Sequence, residues 1–405
     1  MAKVTIAIPT YWTWGMGKSI PSGDTIYDHP TPLDQSGTLA RLLESLKVID
    51  YSDFNIVVLT AATNSSLVKA AASKVNGIIE RFNDSFQIMQ FAPHNLKILR
   101  QHLKKLDLGD HIIQISLCGY PNVRNVQLII THVLGSDVMV GLDDDEIVTD
   151  KGYLNKAVEF IGKEKDGNFV GGVAGLYLDR QGNYELSEKE RCRKEKESNL
   201  FIRKEVIMDD AILSLERNSN RLVETPFVFG GNMVIHRNVF EKVAFDPYIT
   251  RGEDVDYLIN GRMLGCHFFL DKDLQIVHLP PKPTPCTDYF KLKQDVIRFI
   301  YERYKLSIAK AYLGFKAIAP EELDPYPGCF LRKNVENHAL EALNWVRPGD
   351  IGETLSLEEF VAAANQYAQQ VSHKYFRFQK EWGKIMKIIE RDTGIRKYLM
   401  SLMLS

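Results

Sequence analysis

Cysteine is scarce in this chain and scattered. The five residues, Cys118, Cys192, Cys266, Cys286 and Cys329, are odd in number and match neither a disulfide framework nor a zinc-ligand spacing. A reducing compartment fits this usage, and a cytoplasmic location is expected. Long apolar runs are absent: nothing approaches the roughly 20 residues of a membrane-spanning helix. Met1-Ala2-Lys3-Val4-Thr5-Ile6 enters a strand directly, without the three-part pattern of a secretory signal. An excess of one charge is absent too. Lys and Arg number 50 against 52 Asp and Glu, a formal net charge of −2, which argues against a nucleic-acid binder that works by bulk electrostatics. There is no internal repeat and no low-complexity segment. What remains is 405 residues, 45% hydrophobic and 25% charged, enough for one large core with appendages or for two domains.

The first half alternates strand and helix signals. Val4 to Ile8 reads as a strand that Pro9-Thr10 ends, followed by an aromatic, Gly-rich loop from Tyr11 to Gly17 and an irregular loop over 19–35. Leu39, Leu42, Leu43 and Leu46 mark a helix with Thr38 as N-cap. Strands are expected at 55–59, 86–91 and 138–142, and helices at 67–82, 97–106 and 125–133. This alternation predicts a mostly parallel sheet with helices on both faces. Beyond residue 150 come a Gly-rich strand at 169–177, a charged loop or exposed helix at 185–197, and a strand at 227–236 with Gly230-Gly231 inside it. A helix at 257–264 and a strand at 274–277 follow. From about Asp288 onward the chain reads as helical.

Leu142-Asp143-Asp144-Asp145-Glu146 is the most informative stretch. A short apolar strand leads into it, and the carboxyl ends of strands in open α/β sheets are where such sheets bind ligands. An isolated acidic run is as easily a surface turn; the strand before it favours a site. In extended chain Asp143 and Asp145 share a face, and two hard oxygen donors suit Mg²⁺ or Mn²⁺, with phosphate oxygens and water completing the shell. Gly230-Gly231-Asn232 permits close backbone approach to a ligand or forms a bulge. Arg251-Gly252-Glu253-Asp254-Val255-Asp256 opens a helix, where carboxylates serve either the helix dipole or catalysis. His278 ends a strand, either as a structural side chain or as a metal ligand.

Taken together, in this order and at these separations, the motifs resemble the glycosyltransferases of the GT-A fold, in pattern the large family 2 group and its relatives. The resemblance rests on Ile8-Pro9-Thr10, Val123-Arg124-Asn125, the acidic cluster, Gly230-Gly231-Asn232, Gly252-Glu253-Asp254 and Ile276-Val277-His278. It implies a GT-A catalytic domain over residues 1–285 and a helical C-terminal extension over 286–405. It implies that Asp143 and Asp145 bind a divalent metal, Mg²⁺ or Mn²⁺, and through it a nucleotide-sugar donor, with His278 completing the metal shell. Pro9, Thr10 and Tyr11 would lie near the nucleotide, with Asp144 among the donor-binding residues. Arg124 would lie near the diphosphate or brace the acidic cluster, and Gly230 and Gly231 would flank the donor sugar. Asp254, with Glu253, would face the acceptor, and in inverting members that position is the general base. One departure stands out. The family usually carries an acid just after the second strand, where this chain reads Val57-Val58-Leu59-Thr60-Ala61-Ala62-Thr63-Asn64, so uracil recognition is not implied.

The expected activity is therefore metal-dependent transfer of a sugar, a hexose by expectation, from a nucleotide diphosphate to a hydroxyl of a small polar or saccharide acceptor. A nucleotidyltransferase is the alternative within enzymes. Such enzymes usually place a Gly-rich basic loop after the first strand, whereas Tyr11 to Trp14 is aromatic here and Lys18 is the first basic residue of that loop. A non-catalytic sugar-nucleotide-binding protein is the alternative outside enzymes, and it would not need Glu253-Asp254 alongside the metal carboxylates. The aromatic loop either stacks on a sugar or packs into the core. Arg180, Arg191, Arg193, Lys194 and Lys196 alternate with glutamates and read as a solvated face. Residues 373–397 form a basic amphipathic helix. Packing on the catalytic domain or on a second subunit, which would make a homo-oligomer, is preferred to lying on an anionic membrane, because aromatic residues at this density fill cores and interfaces.

Overall fold

The computed structural model describes residues 1–16, 23–104, 109–281, 285–347 and 355–403. Lys18, part of the expected 19–35 loop and the last residues of the expected 97–106 helix lie outside this set. The described strands are β1 (Val4–Thr13), β2 (Thr31–Pro32), β3 (Phe54–Ala62), β4 (Ile88–Phe91), β5 (Val138–Gly141), β6 (Glu146–Ile147), β7 (Glu164–Lys165), β8 (Asn168–Leu178), β9 (Leu222–Glu224), β10 (Met233–His236) and β11 (His267–His278). They form one sheet in the order β4-β3-β1-β5-β10-β8-β11-β6, with β2, β7 and β9 at the margins of β1, β8 and β11. The N-terminal half is parallel throughout, and β8 and β11 are parallel to each other. β10 runs antiparallel between β5 and β8. This is the α/β sheet that the alternating pattern predicts.

Pro9 does not end the first strand. β1 continues to Thr13, paired with β3 from Val4↔Phe54 to Trp12↔Ala62, whereas its pairing with β5 stops at Ala7↔Gly141. Past Ala7 the β5 edge is free, which leaves room for a residue that offers no ladder donor. The period-2 alternation then decides the fate of the aromatics. Ile6, Ile8 and Trp12 enter the core on one face, with the helices Leu39–Ser45 and Val68–Ile79. Ala7 and Tyr11 enter the core on the other, with the helix Tyr120–Val133 and the C-terminal helices.

The C-terminal region is helical: Pro285–Ala309, Val335–Val346, Leu357–Arg391 and Thr393–Leu402. A reciprocal capping box opens the long third helix. Ser356 Oγ accepts from the Glu359 amide at 3.1 Å, and Glu359 accepts from the Ser356 amide at 2.8 Å. Its inner face buries Tyr375, Phe376, Phe378, Trp382, Ile385 and Ile389. Burying one such Phe contributes about 1.5–3 kcal/mol relative to exposure. Trp382 Nε1 donates to the Phe240 carbonyl at 2.8 Å, tying the helix to the segment that follows β10. The segment expected as one helix is broken at Asp392, which caps the next helix through the Gly394 and Ile395 amides. No helix among the described residues is long and apolar enough to cross a membrane.

Candidate active site

A cleft of about 260 Å³ opens at the carboxyl ends of β1 and β5. This is the crevice where strand order departs in two directions from β1, towards β3 on one side and β5 on the other. Pro9 and Tyr11 line it from β1, and Asp143, Asp144 and Asp145 line it just after β5. Thr10 does not reach the wall; its Oγ1 donates to Asp144 Oδ2 at 2.5 Å from behind. Burial pushes the Asp144 carboxyl up to about 7. Tyr11 packs against Tyr27 and Tyr120 with ring centroids 4.3 and 5.0 Å away, and Trp12 is buried on the opposite face.

The acidic segment is not extended. A turn at Asp144-Asp145 separates the carboxylates expected on one face. Asp143 Oδ1 pairs with Arg124 Nη2 at 2.9 Å, and Arg124 Nε reaches Glu253 Oε1 at 3.2 Å. Asp145 Oδ1 instead lies 3.5 Å from His278 Nε2. Burial raises the Asp143 carboxyl despite Arg124. Burial also acts on Asp145, but the hydrogen bond and charge of His278 outweigh it and hold that carboxyl below its ordinary value. Glu253, 6% exposed, is pushed up to about 7 by burial against the pull of Arg124. It is thus turned to Arg124 as much as to the cleft.

Gly230–Asn232 forms a single 3-10 turn ahead of β10, not the strand interior expected from its sequence. The Gly230 amide donates to Asp254 Oδ2 at 3.0 Å, and the Val255 amide to Asp254 Oδ1 at 2.8 Å. Asp254 is half-buried, lines the cleft, and forms no ion pair among the described residues. Gly231 is needed for lack of a side chain. A Cβ there would collide with Glu146 Oε1 and stand 2.7 Å from Tyr177 Oη and 2.8 Å from Asp143 Oδ2. Gly252, at φ +67°, turns the chain into the helix Glu253–Met263, and Arg298 occupies the space its Cβ would need.

The two carboxylates and the imidazole have the chemistry of a Mg²⁺ or Mn²⁺ shell. Asp145 and His278 face one another at a spacing that one ion could bridge. Asp143 would contribute only the oxygen not held by Arg124. Among the described residues the one trio of potential ligands with all donor atoms within 4.8 Å of one another lies elsewhere: His132, Glu241 and Glu390. Arg237 already pairs with both of those glutamates, at 2.5 and 2.7 Å.

Of the residues expected to bind metal or donor or to act on the acceptor, all but Thr10 and Gly231 line the cleft. Sequence reasoning missed Asp28, His29, Tyr177, Lys204, Arg298 and Tyr326, which line it too. Burial, then Lys291, holds the His29 imidazole below its ordinary value. Asp28 and His29 sit in a loop with no local signal, and Lys204 and Arg298 sit on helices that look ordinary. Arg180, Arg191, Arg193, Lys194 and Lys196 do not line the cleft. The helix Glu188–Glu195 that carries Arg191 buries nothing, and Arg191 pairs with Glu195 and Asp210.

No family model matches the chain, and no curated protein matches it. Among solved structures it is similar to the mannosyltransferase PcManGT from Pyrobaculum calidifontis in complex with GDP-Man and Mn2+. Identity there is 13%, over 97% of this chain and 88% of that one, with a TM-score of 0.48. It is similar also to glucosyl-3-phosphoglycerate synthase from Mycobacterium tuberculosis in complex with Mg2+ and uridine diphosphate. That match has 12% identity over 73% of this chain and 79% of the other, with a TM-score of 0.36. Likeness at this level assigns no residue a role.

Proposed function

We propose that the chain is a metal-dependent glycosyltransferase of the GT-A type, moving a hexose from a nucleotide-diphosphate sugar to a hydroxyl of a small acceptor. The observation that carries this reading is one cleft with two differently built carboxylate sites. Asp145 faces His278 and is suited to a cation, whereas Asp254 is held by backbone amides, has no ion pair among the described residues and is open to the cleft.

A divalent ion held by Asp145 and His278, which Asp143 would have to move to join, would bind the diphosphate and offset the negative charge that develops as it leaves. This chain's residues do the rest. Arg124 fixes Asp143 and Glu253 and presents a buried guanidinium beside the leaving group. Gly230, which lines the cleft, lets the donor sugar approach the backbone. The Gly230 and Val255 amides orient Asp254 while leaving lone pairs for the acceptor. In an inverting transfer Asp254 takes the proton of the acceptor hydroxyl. That oxygen bonds to the anomeric carbon, and the bond from that carbon to the diphosphate oxygen breaks, the electron pair leaving with the diphosphate. Among the described residues Asp254 has no cation partner to compete with the acceptor hydroxyl for its oxygens.

The test is calorimetric titration with GDP and UDP in Mn²⁺, followed by mass spectrometry of reactions with their hexose conjugates. Saturable, EDTA-sensitive nucleotide binding with donor turnover is expected. No nucleotide binding with Mn²⁺ or Mg²⁺ would overturn the reading, and pyrophosphate release from a nucleoside triphosphate and a sugar phosphate would replace it with a nucleotidyltransferase.

A further inference from the structure

A second group of charges lines the same cleft, and it is basic. Lys204 Nζ lies 2.5 Å from Asp295 Oδ2, Arg251 Nη1 lies 3.1 Å from that oxygen, and Arg298 Nε lies 3.4 Å from Asp295 Oδ1. One carboxylate thus serves three cations. Arg251 has a second partner in Asp28 at 2.9 Å, which still leaves three cations to two acids. Glu302 stands beside Arg298 without balancing it. Neither of its oxygens has a hydrogen-bond partner among the described residues, and burial pushes the carboxyl up to about 8.

Local structure accounts for part of this arrangement only: Arg298 also donates to Tyr326 Oη and lies over the Phe299 ring, 4.2 Å from its centroid. Lys204 is the first residue of the helix Lys204–Glu216, and Arg251 stands just ahead of the helix Glu253–Met263. Both residues stand in the chain at the positive end of a helix dipole, where cations are unfavourable and anions are bound. Arg298 is 4% exposed, and its Nε has no hydrogen-bond partner. A buried excess of positive charge is costly unless an anion offsets it. Arg251 is three residues from Asp254, and Arg298 packs on the intervening Gly252. The basic group therefore adjoins the proposed base.

We propose that Lys204, Arg251 and Arg298 seat an anionic group of the acceptor, a phosphate or a carboxylate, so that the sugar passes to a hydroxyl of a small anionic molecule. This rests on the glycosyltransferase reading above, and it replaces a generally polar acceptor with a charged one. The C-terminal helical region then takes part in recognition, because it supplies Arg298 and Asp295.

The test uses the full chain in EDTA at constant ionic strength, titrated with inorganic phosphate and separately with acetate. At least one anion should bind saturably, and which one binds distinguishes a phosphorylated from a carboxylated acceptor. Affinity should fall at least about tenfold in Arg251→Gln and in Lys204→Gln, about 1.4 kcal/mol, and recover partly in Lys204→Arg. Unchanged melting temperature marks the variants as folded. A repeat with GDP or UDP and Mn²⁺ present should leave anion binding intact. Absence of binding by both anions in the wild-type protein, or anion affinity unchanged in the variants, would overturn the proposal. Competitive displacement of the anion by nucleotide would overturn it also, because the cations would then serve the donor diphosphate. Nucleotide binding, read separately, shows whether the glycosyltransferase reading stands when this one fails.

Discussion

Asp145 and His278 face each other at 3.5 Å because β6 and β11 pair antiparallel with Glu146 opposite His278. The contact is clamped from behind. Arg41 Nη2 donates to the Asp145 and Leu279 carbonyls, both at 3.0 Å, and the Leu279 amide donates to the Asp145 carbonyl at 3.0 Å. A carboxylate and an imidazole are thus held ready on two rigid strand ends.

Asp145→Asn should lower Mn²⁺-dependent turnover by on the order of 10²-fold or more, the scale on which removal of a transition-state charge stabiliser is felt. Asn keeps the shape, so the variant should remain folded by circular dichroism. Full activity in excess EDTA would count against the metal role of both residues.

In Asp254→Asn the base is lost and the shape kept. We expect kcat to fall by about 10²–10⁴-fold with donor KM nearly unchanged. Steady-state kinetics at saturating acceptor decide this. Near-normal kcat would leave Asp254 as a helix-start carboxylate only.

Gly231→Ala should cost stability and activity together. The new methyl would force apart Glu146, Tyr177 and Asp143, and overpacking of this kind costs about 1–3 kcal/mol. Urea denaturation measures the first effect and donor turnover the second. A fully stable, fully active variant would show that the turn can shift freely.

Lys305 lies fully buried, 3.0 Å from Asp246 and in direct contact with Asp256, linking the helix Pro285–Ala309 to the helix Glu253–Met263 and the segment before it. Lys305→Met strands two buried carboxylates. A loss of about 3–5 kcal/mol in urea-unfolding free energy is expected, and a loss below about 1 kcal/mol would mean that the pair is not buried as a charge network.

Glu302 provides a pH test. Its carboxyl is buried with no hydrogen-bond partner on either oxygen and is raised from 4.5 to about 8 by burial. Between those values the folded chain holds a proton that the unfolded chain has released, so this group's contribution to stability is complete below about 4.5 and is lost as pH rises towards 8. Glu302→Gln should flatten the decline in melting temperature over that window. Identical profiles for the two proteins would remove the group from the account.

Much of the fold was legible because its signals are local. Apolar periodicity marked the strands and helices of the first half, and the aromatic spacing of residues 375–389 marked a buried helix face. Three readings failed where a residue's usual meaning was overridden by a distant partner. Pro9 reads as a strand end, yet β1 runs on because β5 stops pairing at Ala7. Gly230-Gly231 reads as strand interior, yet the chain turns there to clear Glu146 and Asp143. Asp143 and Asp145 read as neighbours on one face, yet a turn sends one to Arg124 and the other to His278.

By itself the sequence determined which residue types stand at strand ends and helix starts, because the periods of strand and helix are properties of adjacent residues. It thereby marked the carboxylates, glycines and histidine that the cleft collects. Only the tertiary structure decided their partners. The pairing of β6 with β11 put His278 on Asp145, and the packing of the helix Pro285–Ala309 brought Arg298 and Asp295 to Lys204 and Arg251. Such contacts depend on strand register and helix docking between segments remote in sequence, and no short stretch of sequence encodes them.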